Sequence, residues 1–272
     1  MGRKNSVSVG IDVAAARRGL DLVALDGKRH VVAVHSRLSI AEAARVVMRE
    51  LEPAIVCIDS PAQWSTSGSS RMAERALLRM GIHAFYTPAE ARAVPFHNWM
   101  RAGFAVYDAL SAAYPRYRGG EARGTAAECF PHATAVLLAG RVGQFNEKYA
   151  FRRRVLEDNG VVTTALRTRD QVDAALAALT GRIALDGGFS WVGDADEGAL
   201  LLPVAVLPAH LPRETGALGA APGQLCGCGC GEPVRREFLP GHDAKLRSQL
   251  LKQAAAGTSA ADELKRRGWV SS

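Results

Sequence analysis

Nowhere in the 272 residues does an apolar run reach about 18 residues without a charge, so no membrane-spanning helix is expected. Cysteine is scarce and odd in number: five, three of them crowded together late in the chain. That excludes a secreted disulfide framework and points to a reducing, cytoplasmic setting. No internal repeat is visible, which excludes a repeat array. The basic start MGRKNSVSVGID passes straight into a strand pattern. It lacks the apolar segment of a secretory leader and a convincing myristoylation signal. What is present is ordinary for a globular protein: 48% hydrophobic residues, enough chain for one large domain, or one domain and a small appendage. The net charge of +7 and a pI near 9.4 permit a polyanionic partner without proving one.

The pattern along the chain begins with three short apolar runs, at 7–12, 19–25 and 30–36. The second and third are joined by Asp26-Gly27, a hairpin signal, so an antiparallel meander is expected. Ser39, with Glu42 three residues on, forms a capping box before an amphipathic helix. AIVCIDSP then reads as a buried parallel strand. A Ser/Gly loop feeds a helix ending at Gly81, and HAFYTP reads as a short strand or extended piece. NWMRAGFAVYDALSAAYPRY is helical, AAECFP a strand end, and three further helices run to about residue 185. SWVGDADEGALLLPV reads as a turn between short strands. From about Pro203 the composition becomes Pro/Gly/Ala-rich. The expected organisation is therefore a domain over 1–204, a linker over 205–224 and a small tail over 225–272.

The first and fourth apolar runs each end on an aspartate, Asp12 and Asp59. The element order β-β-β-α-β-α is that of the ribonuclease H fold, a mixed α/β sheet with three antiparallel strands followed by parallel ones and flanked by helices. In that order the first and fourth strands are neighbours, so Asp12 and Asp59 come together. Paired carboxylates make the hard oxygen site that Mg²⁺ or Mn²⁺ takes, and two such ions suit phosphodiester hydrolysis. Glu128, Asp170 and Asp173 are further candidates, the last two sharing a helix face. Each residue also has a plainer role. An Asp after a strand is commonly a turn residue, as Asp12 and Asp59 are in isolation. Asp170 suits the N-terminal charge of its helix, and Glu128 suits a surface strand edge. Asp173, on an Ala-rich face, is harder to explain that way.

These residues stand within a longer pattern: Gly10-Ile11-Asp12, Ile58-Asp59-Ser60-Pro61, Arg71 and Glu74 before Leu78-Arg79-Met80-Gly81, Glu128-Cys129-Phe130-Pro131-His132, Asp170 to Ala175, then Gly193-Asp194 with Glu197-Gly198. Over residues 7 to 203 it resembles the Domain of Unknown Function 429 family, described as predicted RNase H-like nucleases. DQVDAALAAL is also similar to the Asp-x-x-Asp-Ala helix of Holliday-junction resolvases of that superfamily. The resemblance implies divalent-metal chemistry at Asp12, Asp59 and Asp173, with Glu128 as a fourth carboxylate. It supplies no substrate. Arg71 is open as a phosphate-binding residue, whereas Glu74 reads as its exposed i,i+3 partner. Asp194, Asp196 and Glu197 read as an acidic turn first. His132 reads as a helix-start residue, with a proton shuttle as the other role. The run FRRRVL at 151–156 reads mainly as a solvated helix face, or as a track for phosphates.

In the tail, CGCGCGEPVRREFLPGHDAK places Cys226, Cys228 and Cys230 two apart and His242 twelve beyond. Three thiolates and one imidazole suit tetrahedral Zn²⁺. The intervening glycines permit the tight backbone this needs, and a metal helps so short a segment to fold. C-x-C-x-C departs from the usual C-x-x-C, which leaves a two-cysteine set or a plain thiol loop as alternatives. Arg235, Arg236, Lys245, Arg247 and Lys252 are basic residues for nucleic-acid phosphates or for solubility. Ser259 and Asp262 form a weak capping box, and Trp269 is expected to pack on the tail. The sequence thus points to a metal-dependent nuclease acting on DNA or RNA, with no membrane partner. The alternatives are an inactive RNase H-like binding module and an actin/sugar-kinase-like phosphotransferase. The latter needs a second copy of the unit and a Gly-rich phosphate loop, and neither is visible.

Overall fold

The computed structural model describes residues 6–13, 19–66, 68–144, 147–213, 225–230, 237–238, 241–255 and 260–270. The chain divides into two compact units, Met1–Glu214 and Thr215–Ser272.

In the first unit β1 (Ser8–Val13), β2 (Leu20–Leu25) and β3 (Val31–Leu38) form an antiparallel meander. The Asp26 carboxylate shapes the β2–β3 turn by accepting from the backbone N–H groups of Lys28 and His30. α1 (Ile40–Arg45) starts on the Ser39–Glu42 capping box and runs on into a π-helical turn, Val46–Leu51. The chain then returns as β4 (Ile55–Asp59), parallel to β1. α2 (Met72–Arg79), α3 (Asn98–Leu110), β5 (Ala126–Glu128), α4 (Pro131–Ala139), α5 (Lys148–Asp158) and α6 (Arg169–Leu185) follow. The hairpin β6 (Ser190–Asp194) and β7 (Gly198–Leu202) completes a seven-stranded sheet of order β3-β2-β1-β4-β5-β7-β6. Three antiparallel strands followed by parallel β4, β5 and β7, with β1 and β4 adjacent, is the ribonuclease H-like arrangement.

Strand alternation sorts the core into two layers. Val9, Ile11 and Val13 of β1 pack with Leu22 and Ala24 of β2 against residues of α1 and α3. On the opposite face α6 lies across β1, β2 and β4. Its alanines let it approach the sheet, and Gly10 completes the fit. A Cβ at Gly10 would stand 2.0 Å from the Ala174 carbonyl oxygen and 2.3 Å from the Ala178 nitrogen. The helix therefore sits on the strand backbone, and its N-terminal turns, with Asp170 and Asp173, are carried over the ends of β1 and β4. Thr168 caps it with Gln171 as the reciprocal partner.

One alternative closes and one expectation changes. HAFYTP, at 83–88, is not a strand, and the Thr87 N–H and the Pro88 carbonyl bond to Glu74 and Ser65 instead of to a ladder. Residues 205–213, expected as the start of the linker, fold back on the first unit. Leu211 is buried, its N–H reaches the Met80 carbonyl at 3.0 Å, and the Val142 N–H reaches that of Pro212 at 2.8 Å. Residues 214–224, the rest of that stretch, lie outside the described residues.

The second unit contains α7 (His242–Ala255) and α8 (Ala260–Arg266). The Phe238 and Trp269 rings meet with centroids 6.0 Å apart and Arg267 lies over both, 5.4 and 5.3 Å from their centroids, so Trp269 does pack on the tail. Arg235, Arg236 and Ser259 lie outside the described residues. Among the described residues no helix is long and apolar enough to cross a membrane.

Candidate functional site

Asp12 and Asp59 are register partners at the ends of the adjacent parallel strands β1 and β4. Both strands are apolar and buried, so the sheet itself carries the two carboxylates out of the core side by side. Burial first, then the charge of Asp59, pushes the Asp12 carboxyl up to about 9. Burial first, then Asp173, pushes Asp59 up to about 8, while Arg152 and a hydrogen bond from Asp12 pull the other way. Without a cation the pair holds a proton near neutral pH, because two buried like charges resist joint ionisation. A third acid, Asp21, lies opposite Asp12 on β2 and is also raised by burial. It accepts from the Ser36 hydroxyl at 2.5 Å. Asp21 escaped the sequence reading, although an acid inside the otherwise apolar run LDLVAL was a visible signal.

α6 brings Asp173 to the same strand ends, and its charge acts on both aspartates. Asp173 is not free, however. Arg152 of α5 donates to both its carboxylate oxygens, at 2.6 and 2.5 Å. This corrects the reading of FRRRVL as mainly a solvated face. Arg152 serves Asp173, and Arg153 donates to the carbonyls of Thr163 and Leu166. Only Arg154 of the three is exposed.

Glu128 ends β5, one strand further along, but it too is engaged. Arg71 grips it with two parallel bonds, at 2.7 and 2.5 Å, and donates through Nε to Glu74 at 3.0 Å. Arg71 and Glu74 are each only 2% exposed. The expectation that Arg71 meets a substrate phosphate is therefore corrected: its donors are spent on carboxylates inside the protein. Both Glu128 oxygens accept from that guanidinium, as both Asp173 oxygens accept from Arg152, while Glu128 lines the same cavity as Asp12 and Asp59. The Arg71–Glu74 pair is likewise no exposed surface pair. Glu74 also accepts from the Thr87 N–H. Of the acidic turn, Asp194 caps its own loop by accepting from the N–H groups of Asp196 and Glu197. Glu197 turns inward and accepts from Ser65, Thr66 and Met72, which pins the loop between β4 and α2. His132 lies in the first turn of α4, which has no side-chain cap. Its Nδ1 is buried without a partner among the described residues, and burial lowers its pKa to about 3.

Asp12, Asp59, Asp170 and Asp173 face one cavity of about 530 Å³, with Arg152, Arg71 and Glu128 in its lining. Phe85, Phe96 and Trp99 form an aromatic wall. The sequence reading missed this wall, although residues 83–99 hold four aromatics in a chain with 6% overall.

Residues 10–197 match the family described as Protein of unknown function (DUF429). The chain belongs to the DUF429 family. Among curated proteins nothing matches. Among solved structures the chain is similar to a Thermus thermophilus RuvC structure, with a TM-score of 0.37 and 16% identity over 69% of this chain and 99% of that one.

The DUF429 match ends before the second unit, where a different donor set lies. Cys226, Cys228, Cys230 and His242 have their ligand atoms all within 4.8 Å of one another. The three sulfurs stand 3.6, 3.2 and 3.5 Å from His242 Nδ1. A tetrahedron with zinc-like bonds has S–N edges of roughly 3.5 Å, so all three cysteines and the histidine fit a single ion. Gly229, at φ +80°, supplies the left-handed turn that brings Cys228 and Cys230 together. Among the described residues no set of three or more carboxylate, thiol or imidazole ligands is gathered as closely elsewhere. The acidic set of the first unit is open by comparison, with Asp173 held on Arg152.

Proposed function

We propose that the first unit is a divalent-metal-dependent nuclease that hydrolyses phosphodiester bonds in DNA or RNA. The observation that carries this reading is the register of Asp12 with Asp59 at the floor of the cavity. Buried acids that repel one another and lack a dedicated cation suit Mg²⁺ or Mn²⁺, which take one or two carboxylates and otherwise keep water or phosphate oxygens. Asp12 and Asp59 would hold the ions, and Asp173 would join them when it leaves Arg152. Bound there, the ions would supply the Lewis acidity that activates a water and stabilises the leaving oxygen.

The protein's own residues do the positioning. Asp12 and Asp59 give up their proton when the site is loaded. Arg152, freed from Asp173, stays at the cavity wall as a cation for a substrate phosphate. Arg71 has a different role: it fixes Glu128 and Glu74, and so holds the start of α2 and the segment at Thr87 against the sheet. The second unit, on this reading, is a small zinc-binding appendage held by Cys226, Cys228, Cys230 and His242. The setting on this reading is reducing and cytoplasmic, as the odd number of cysteines, three of them crowded together, suggests. A binding module without activity is the second reading, favoured by the hold of Arg152 on Asp173.

The test is cleavage of single-stranded DNA, duplex DNA, RNA, an RNA–DNA hybrid and a four-way junction in Mn²⁺ or Mg²⁺, with Asp12→Asn prepared identically. The expected outcome is cleavage by the wild type and a loss of at least about 10²-fold in the variant. Equal cleavage by both proteins, or none by either, would overturn the nuclease reading.

A further inference from the structure

A ring packed for stability is usually covered, yet Phe85 is 68% and Phe96 is 56% exposed. They meet edge to face, with centroids 5.4 Å apart at 65°. From Phe96 the ring contacts continue through His97, at 5.4 Å, to Trp64, at 6.5 Å. The Arg101 guanidinium lies 5.0 Å over the Trp64 ring. Arg101 has one acidic neighbour, Glu90 at 3.2 Å, and both side chains are more than half exposed, so screening leaves that pair weak and the cation available. The ledge begins in the cavity that holds Asp12 and Asp59 and leads away from it.

The segment that carries Phe85 is neither helix nor strand, but it is anchored. The Thr87 N–H donates to both oxygens of buried Glu74, the Ser65 N–H reaches the Pro88 carbonyl at 3.0 Å, and the Ala89 N–H reaches that of Gly68 at 2.8 Å. Anchored backbone with uncovered rings is a platform for a flat apolar partner. A nucleic acid has such faces, but in a duplex they are stacked on neighbouring bases. A single strand offers them freely, and base-on-ring stacking tolerates any sequence.

We infer that the cleft takes an unpaired strand, DNA or RNA, with a base stacked on the Phe85–Phe96 ledge and the adjoining phosphodiester toward Asp12 and Asp59. The inference rests on the nuclease reading for the role of the phosphodiester. Its test is a binding measurement, so the two can fail separately. The probe is a single strand of about 12 nucleotides containing 2-aminopurine, compared with the duplex of the same sequence. The protein is full-length Asp12→Asn, alone and combined with Phe96→Ala, Phe85→Ala or Phe96→Tyr. Both positions are largely exposed, so these variants are expected to fold, and their thermal midpoints check it. The single strand should bind at least roughly tenfold tighter than the duplex, with 2-aminopurine fluorescence quenched by stacking. Each alanine should weaken that binding roughly 5- to 100-fold, and Phe96→Tyr should restore it. Equal affinity for strand and duplex, alanine variants that bind like their parent, or no binding of the single strand would each overturn the inference. Ring-dependent strand binding in a protein that cleaves nothing would leave it standing and overturn the nuclease reading alone.

Discussion

The two donor clusters of this chain are built on opposite plans. In the second unit four soft donors converge on one point, all within 4.8 Å, and leave no open position. In the first unit hard carboxylates line an open cavity, and arginines hold some of them back. Closed sets of sulfur and nitrogen are the mark of structural metal sites, whereas reactive sites keep a position open. The contrast teaches that a metal would support the fold in one unit and chemistry in the other. The strongest way to break the comparison is to remove the closed set. Cys228→Ser with Cys230→Ser should take the bound zinc of the purified protein from about one per chain to near zero. Because most of the folding free energy of so small a unit would come from the ion, roughly 10 kcal/mol or more, α7 and α8 should lose protection from hydrogen exchange. Protection in β1 and β4 should stay unchanged. Unchanged zinc content would remove the tail site, and loss of protection in β1 would show that the two units do not stand on separate supports.

A smaller effect should follow from disturbing the arginine that restrains the acids. Arg71 is 2% exposed and bonds two buried glutamates. Arg71→Met keeps most of the side-chain volume but leaves Glu128 and Glu74 without their countercharge. Breaking a buried ion pair on one side costs about 3–5 kcal/mol, and chemical denaturation of the first unit should report a loss of that size. Combining it with Glu128→Gln should recover part of the loss, since one orphan charge is then gone. A loss below about 1 kcal/mol would mean that the network is solvated, as a surface pair is.

The same contrast governs how much was legible in the sequence. The meander follows from apolar periodicity and the Asp-Gly turn, and the meeting of Asp12 with Asp59 from the likeness of this element order to the ribonuclease H fold, in which the first and fourth strands are neighbours. The Cys/His quartet is legible because sulfur and imidazole at close spacing have few other uses. What could not be read is which carboxylate each arginine takes. Arg71 and Glu74 are three apart on a helix whether the pair faces water or the core, and only the fold brings Glu128 from 57 residues away. Arg152 lies inside an Arg-Arg-Arg run in which each residue has a different fate: one on Asp173, one on backbone carbonyls, one in solvent. The aromatic wall was hidden for a related reason. Exposure, not the presence of aromatic residues, marks Phe85 and Phe96, and exposure is a property of the folded chain.

A further expected effect concerns protons. Asp12 and Asp59 have ordinary values of 3.8 when unfolded, and folding raises them to about 9 and about 8. Between those limits the folded state holds more protons than the unfolded state, so the stability of the metal-free protein should fall as pH rises through that window. Divalent metal requires the same groups deprotonated, so its binding should release protons, and its stabilising effect should grow with pH. The thermal midpoint of metal-free protein should therefore slope downward from about pH 5 to about pH 8, and Mn²⁺ in excess should flatten the slope. Asp12→Asn should lessen the slope without metal, because one of the two raised groups no longer titrates while burial still raises Asp59. The quartet responds to acid instead: protons compete with zinc for thiolate and imidazole, so zinc should be lost as pH falls. A metal-free midpoint that rises between about pH 5 and about pH 8 would mean that Asp12 and Asp59 already have a countercharge, and the acidic cavity would then be a closed ion-pair network with no vacancy for a metal.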